Sequence, residues 1–174
     1  MIEEKDGWHI VNVKDARWFG GATKFGSACN FETESGRFEE FGVNLFRLEP
    51  GKPNCRYHRE SGQEGFLVLS GRCKVLINEE EHALKAWDYF HCPAGVSHVF
   101  IGDGDGPSVL LAIGARGSDV ALWYPTSALA ASHGAETPEA TDNPRVAYGD
   151  LPGREAIDPP AWPPSAGGDE GVDR

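Results

Sequence analysis

The sequence predicts an all-β sandwich or barrel that ends in a short helix and an irregular tail. Three observations carry this. β-forming segments recur at short intervals from Phe41 to Ile113, clusters of Gly, Pro and Asn separate them, and a single stretch has the makings of a helix. Short strands cannot each bury a face alone, so they pair into sheets that pack on one another.

Taken in order, Trp8-His9-Ile10-Val11-Asn12-Val13 alternates as a strand does. Gly20-Gly21 and Gly26 then predict an irregular loop. Phe41–Leu48 is a strand that the turn signal Pro50-Gly51 stops. Arg56–Glu60, Gly65–Leu69 and Cys73–Ile77 follow, the last with Asn78–Glu81 as its polar turn. Tyr89–Cys92, His98–Ile101 and Ser108–Ile113 complete the set, with a Gly/Asp-rich turn between the last two. Ala128–His133 is the helix, with Thr126 or Ser127 as its N-cap and Gly134 where a C-terminal cap belongs. Beyond Ala135 no period survives, which predicts an extended tail packed through Tyr148 and Trp162, with a disordered end. The organisation expected is therefore N-terminal strands and loop over 1–40, a barrel over 41–114, and helix plus tail over 115–174. Alternation picks Phe66, Val68, Val75, Ile77, Phe100, Leu110 and Ala112 for the core.

A chain of 174 residues is one domain or one domain with tails, and 40% apolar with 25% charged residues is ordinary for a globular protein. A net charge of −11 argues against nucleic acid or an anionic membrane as partner. No apolar run has the length of a membrane span, and the charged segment Met1–Asp6 lacks the apolar core of a signal peptide, so a cytoplasmic location is expected. Cys29, Cys55, Cys73 and Cys92 form no C-x-x-C pair and read as free thiols.

Chemistry concentrates between Gly51 and Gly102. In an extended chain Arg56, His58 and Glu60 share a face, Glu64 follows the Ser61-Gly62 turn, and His98 shares a face with Phe100. The turns at Ser61-Gly62 and Pro93-Ala94-Gly95 can bring His58, Glu60, Glu64 and His98 to one mouth. Two imidazoles and two carboxylates suit a divalent metal and leave such a site formally neutral. Without a metal, the two carboxylates would repel and one would take up a proton. Arg56 on the inward face would grip a ligand carboxylate or phosphate, or else pair with Glu49 or Glu60. His91 would support a ligand, and Tyr57 would face into packing. The thiols of Cys55 and Cys92 are further donors that no spacing demands. No phosphate-binding loop, dinucleotide motif or nucleophile elbow is present.

At these residues the chain resembles the cupin superfamily, over roughly residues 41–114. One motif reads His58-x-Glu60-x-x-x-Glu64 followed by Gly71, with Gly51 upstream; the other reads Pro93-x-Gly95-x-x-His98 followed by Gly102. Two positions depart from the pattern: Glu60 stands where a second histidine is usual, and Trp87 where a glycine usually opens the second motif. The resemblance implies a cupin jelly-roll barrel of the small, RmlC-like kind. It implies one divalent ion (iron, manganese, zinc or nickel) on His58, Glu60, Glu64 and His98, a small-molecule ligand, and a homodimer in which the segment before Phe41 is a candidate for packing on the partner. It leaves open an oxygenase, an isomerase or a lyase, and equally a non-catalytic protein that binds a sugar or small acid.

Overall fold

The computed structural model describes residues 2–20, 23–33, 36–117 and 119–161. A hairpin of β1 (Ile2–Lys5) and β2 (Trp8–Val11) comes first, then β3 (Arg17–Gly20), β4 (Ser27–Asn30) and the long β5 (Phe41–Leu48). The short β6 (Arg59–Glu60) precedes β7 (Glu64–Ser70), β8 (Arg72–Ile77), β9 (Glu80–Lys85) and β10 (Tyr89–Cys92). After β11 (His98–Asp103), β12 (Ser108–Ala115) and the short β13 (Leu122–Trp123) come α1 (Ala128–Ser132), α2 (Pro144–Ala147) and β14 (Glu155–Ile157).

Two antiparallel sheets form the barrel walls. One runs β10-β7-β12-β5-β4-β3-β14 and the other β11-β8-β9. Their facing surfaces supply the central core: Leu48, Phe66, Val68, Leu110 and Ala112 from the first, Cys73, Val75 and Phe100 from the second. Ile77 packs at its edge, half-buried. Each large apolar side chain so buried contributes roughly 1.5–3 kcal/mol. Alternation sends the intervening residues outward, and both outer faces are covered in turn. On the back of the large sheet Leu45, Val109, Trp18 and Cys29 form one buried patch, against which Ala16, Val11 and Val13 pack. Leu76, Val99 and Ile101 meet Tyr57 and Ala130 of α1 on the back of the small one. Gly71 turns β7 into β8 at φ 72°, a conformation that suits glycine, and a Cβ there would meet the Pro107 carbonyl at 2.6 Å.

The structure departs from the sequence expectations at five places. The N-terminal strand stops at Val11, and the Gly-flanked loop after it contains β3 and β4, which extend the large sheet. Asn78 and Glu79, both at positive φ, make the whole turn, so Glu80 and Glu81 belong to β9. The chain bends at Tyr57, which confines β6 to two residues. The segment after Ala135 is folded: Asn143 caps α2 with Pro144 in its first turn, and β14 pairs with β3. Trp162 and the end of the tail lie outside the described residues.

Candidate metal centre

His58 and His98 face one another as a directly bonded backbone pair. The His98 N–H donates to the His58 carbonyl at 2.8 Å, and the His58 N–H returns the bond at 3.2 Å. Their side chains therefore leave the sheet on one side, with ring centroids 5.0 Å apart. Each ring is held by its rear nitrogen. Nδ1 of His58 lies 2.9 Å from the Arg56 carbonyl, and Nδ1 of His98 lies 3.1 Å from the Val96 carbonyl. A carbonyl only accepts, so in the neutral ring Nδ1 carries the hydrogen and Nε2 keeps its lone pair for the cavity.

Glu64, at the start of β7, brings Oε2 to 3.4 Å from His98 Nε2. One donor atom each from His58, Glu64 and His98 lies within 4.8 Å of the others, which is the spread a single small cation can span. Glu60 stands beside this trio, its Oε1 3.6 Å from His58 Nε2. A hydrogen bond from the Gly95 N–H to the Glu60 carbonyl (2.7 Å) ties the two motif turns together. The thiols of Cys55 and Cys92 sit behind the rings, 3.6 and 3.4 Å from the Nδ1 atoms, and not among the Nε2 donors.

Burial and the charge of Glu60 push the Glu64 carboxyl up to about 7. Burial and its neighbour His58 push His98 down to about 3, which keeps that imidazole neutral. Burial also disfavours a charged His58, but Cys55, Glu60 and Glu64 around it prevail and raise it well above the ordinary histidine value. His98 is neutral with a lone pair at Nε2, His58 presents an Nε2 that becomes a donor when a cation displaces its proton, and with the crowded carboxylate pair they make a donor set that fits a divalent cation.

The donors line the floor of a cavity of about 260 Å³, walled by Asn44, Phe66, Tyr124 and Tyr148 among others. Tyr124 stacks on His58 at 5.8 Å between centroids, and burial raises its hydroxyl to about 12. Arg56 and His91, read as ligand contacts, are placed elsewhere. The bend at Tyr57 turns Arg56 away from His58. Its side chain is wholly buried, donating to the Ala147 carbonyl at 3.0 Å, to the Glu136 carbonyl and to Asp150. No pairing with Glu49 or Glu60 forms. His91 stands exposed on β10, because Phe90 and Cys92 take the inward positions. Sequence reasoning missed Asn44, Tyr124 and Arg116 as cavity residues; Asn44 was discoverable, as a polar residue on the inward face of β5 with Phe46 and Leu48.

The cupin-domain family profile matches residues 44–114. Residues 44–114 are a cupin domain. The chain is similar to a sugar phosphate isomerase from Silicibacter pomeroyi, at 27% identity and a TM-score of 0.53 over 66% of this chain and 69% of that one. It therefore spans about two thirds of the isomerase's length. It also shares its fold with the polyketide cyclase RemF from Streptomyces resistomycificus (14% identity, TM-score 0.53, 64% of this chain and 82% of that). A cupin 2 domain-containing protein from Halorhodospira halophila is similar in the same sense (17% identity, TM-score 0.53, 67% and 83%). A search of curated protein sequences finds no significant match. Among the described residues no helix is long and apolar enough to cross a membrane.

Proposed function

We propose that this cupin binds one divalent metal ion through His58, Glu64 and His98, with Glu60 as a fourth donor, and acts on a small oxygenated metabolite. The observation that carries the reading is the convergence of three donor atoms within 4.8 Å on a cavity floor, with both histidines held by Nδ1. When bound, a divalent ion supplies a Lewis acid that polarises a carbonyl or steadies an enolate. The residues of the chain do the rest. The Arg56 and Val96 carbonyls orient the rings, Phe66 keeps one wall apolar, and the Tyr124 hydroxyl, neutral at ordinary pH, is available as a hydrogen-bond donor to a ligand. Isomerisation, a lyase reaction or oxygenation are the chemistries we assign to this arrangement, with isomerisation first because a solved relative at 27% identity is a sugar phosphate isomerase. A cytoplasmic homodimer is part of the same proposal, the location supported by the free thiols of Cys29, Cys55, Cys73 and Cys92 and the dimer by family resemblance.

The test is elemental analysis of protein purified without a metal-affinity tag. Wild type is expected to carry near one equivalent of iron, manganese, zinc or nickel. His58→Ala and His98→Ala should each lose affinity by more than the roughly 10–100-fold typical of losing a residue that only supports a ligand. Glu60→Ala should lose part of it, and full retention in that variant would remove Glu60 from the set. Absence of metal in wild type after reconstitution would sink the proposal. A metal-loaded protein that turns over no sugar phosphate, small hydroxy acid or keto acid would favour the non-catalytic binding reading.

A further inference from the structure

We infer that Arg116 forms an anion subsite in the same cavity, and that the ligand is a small molecule with an oxygen for the metal end and a carboxylate or phosphate for the guanidinium. The inference rests on the metal-site reading for the first of these contacts only. Across the large sheet, Glu64 of β7 is paired with Gly114 of β12, which is paired with Gly42 of β5. The two glycines leave a trough. The Glu64 carboxyl lies over one end, 3.5 Å from where a Gly114 Cβ would be, and the Arg116 guanidinium lies over the other, its Nε 2.8 Å from a Gly42 Cβ. Directly opposed Cβ positions are about 5 Å apart, so guanidinium and carboxylate are separated by about 11 Å at most. A chain of a few bonds spans that.

The guanidinium is only half used. Its Nη1 donates to Glu32 and to the Phe38 carbonyl at 2.9 Å. Among the described residues its Nε and Nη2 have no acceptor, and this is the edge that grips two oxygens side by side. The cavity is thus polarised: Glu60 and Glu64 at the metal end repel an anion, and Arg116 at the other end receives it. Charge around the outer opening is mixed, with Arg37 against Glu39, so selectivity falls to the inner guanidinium. Glu32 neutralises part of its charge, and that gives the proposal a test of opposite sign from the usual one.

The experiment measures binding of glycerol 3-phosphate, glycerate and glycerol to the metal-loaded full chain by calorimetry. Wild type is expected to bind at least one of the two anions ten-fold or more tighter than glycerol, and which one identifies the anionic group. Arg116→Gln should abolish the preference while metal content and glycerol binding stay as in wild type. Glu32→Gln should increase it severalfold, because the guanidinium loses its internal counterion. Should Arg116→Gln fail to fold, Gly42→Ala is the substitute: its φ suits alanine, and its methyl presses on Nε and should lower the preference. No preference in wild type, an unchanged preference in Arg116→Gln, or a fall in Glu32→Gln that parallels Arg116→Gln would each overturn the inference, the last by marking Arg116 as a loop anchor. If elemental analysis finds no metal, the same titrations on the metal-free chain by tryptophan fluorescence keep the two readings apart, since Arg116 dependence would persist there.

Discussion

A single nitrogen decides what each histidine can do here. Because Nδ1 is occupied by a carbonyl two residues back in both His58 and His98, each ring turns Nε2 to the cavity; His98 is already in the tautomer a metal needs, and His58 reaches it by giving up one proton. Trp87 is the opposite case, a residue in the wrong conformation for its type. It sits at φ 74° and is 74% exposed, in the position where the family pattern has glycine. A non-glycine residue at positive φ costs roughly 1–2 kcal/mol, and glycine returns part of that as chain entropy. Trp87→Gly should therefore stabilise the protein by about 1 kcal/mol, read as a higher urea midpoint at unchanged slope. A midpoint that falls would mean the indole makes contacts that outweigh its backbone strain.

Among the elements, the segment from Glu136 to Asp150 owes its place to Arg56. The guanidinium is fully buried, lies over the Phe25 and Tyr148 rings at 5.7 and 5.9 Å, and binds two carbonyls of that segment. Charge-assisted hydrogen bonds of this kind are worth roughly 1.5–3 kcal/mol each, so Arg56→Met should cost at least about 3 kcal/mol. Asp150→Asn should cost under about 1 kcal/mol, since that carboxylate is nearly half exposed. Equal losses in the two variants would contradict this division. The arrangement was illegible in the sequence because strand alternation was carried through Tyr57, where the chain bends. His58, Glu64 and His98 were legible because paired strands and tight turns keep their spacing meaningful. β9 was hidden because it is an edge strand with exposed residues on both faces, so it has no apolar period. β4 was hidden because Gly26 signals a loop, yet its missing Cβ serves close packing: one would meet the Arg47 carbonyl at 2.5 Å. α2 could have been found from Asn143-Pro144, a cap followed by a first-turn proline.

For the whole molecule, acid should act through arginine-held carboxylates. Asp150 is held below its ordinary value of 3.8 chiefly by Arg56. Burial works to raise Glu32 from 4.5, but the Phe38 N–H and Arg116 outweigh it and hold it low. A carboxyl whose pKa is depressed on folding contributes stability above its unfolded value, and that contribution disappears as pH falls through the folded one. The loss of urea midpoint caused by Asp150→Asn or Glu32→Gln should accordingly be full near neutral pH and shrink below about 4.5, where these groups begin to protonate in the unfolded chain. A loss that stays flat down to pH 3 would refute that assignment. Deleting residues 136–174 should do more than remove a tail: it strips the partners from Arg56 and the Tyr148 wall from the cavity. The truncated chain should unfold at much lower urea, and binding of a hydrophobic dye at neutral pH would report the opened core.

The seat of Arg56 joins residues 91 and 94 positions apart, with the later partners near the end of the described chain. During synthesis the histidines and Glu64 emerge from the ribosome well before Ala147 and Asp150 do. The nascent polypeptide thus passes through a stage in which the donor floor is made and one wall is still missing. Ion capture, if it happens then, meets a wider doorway than the finished protein offers.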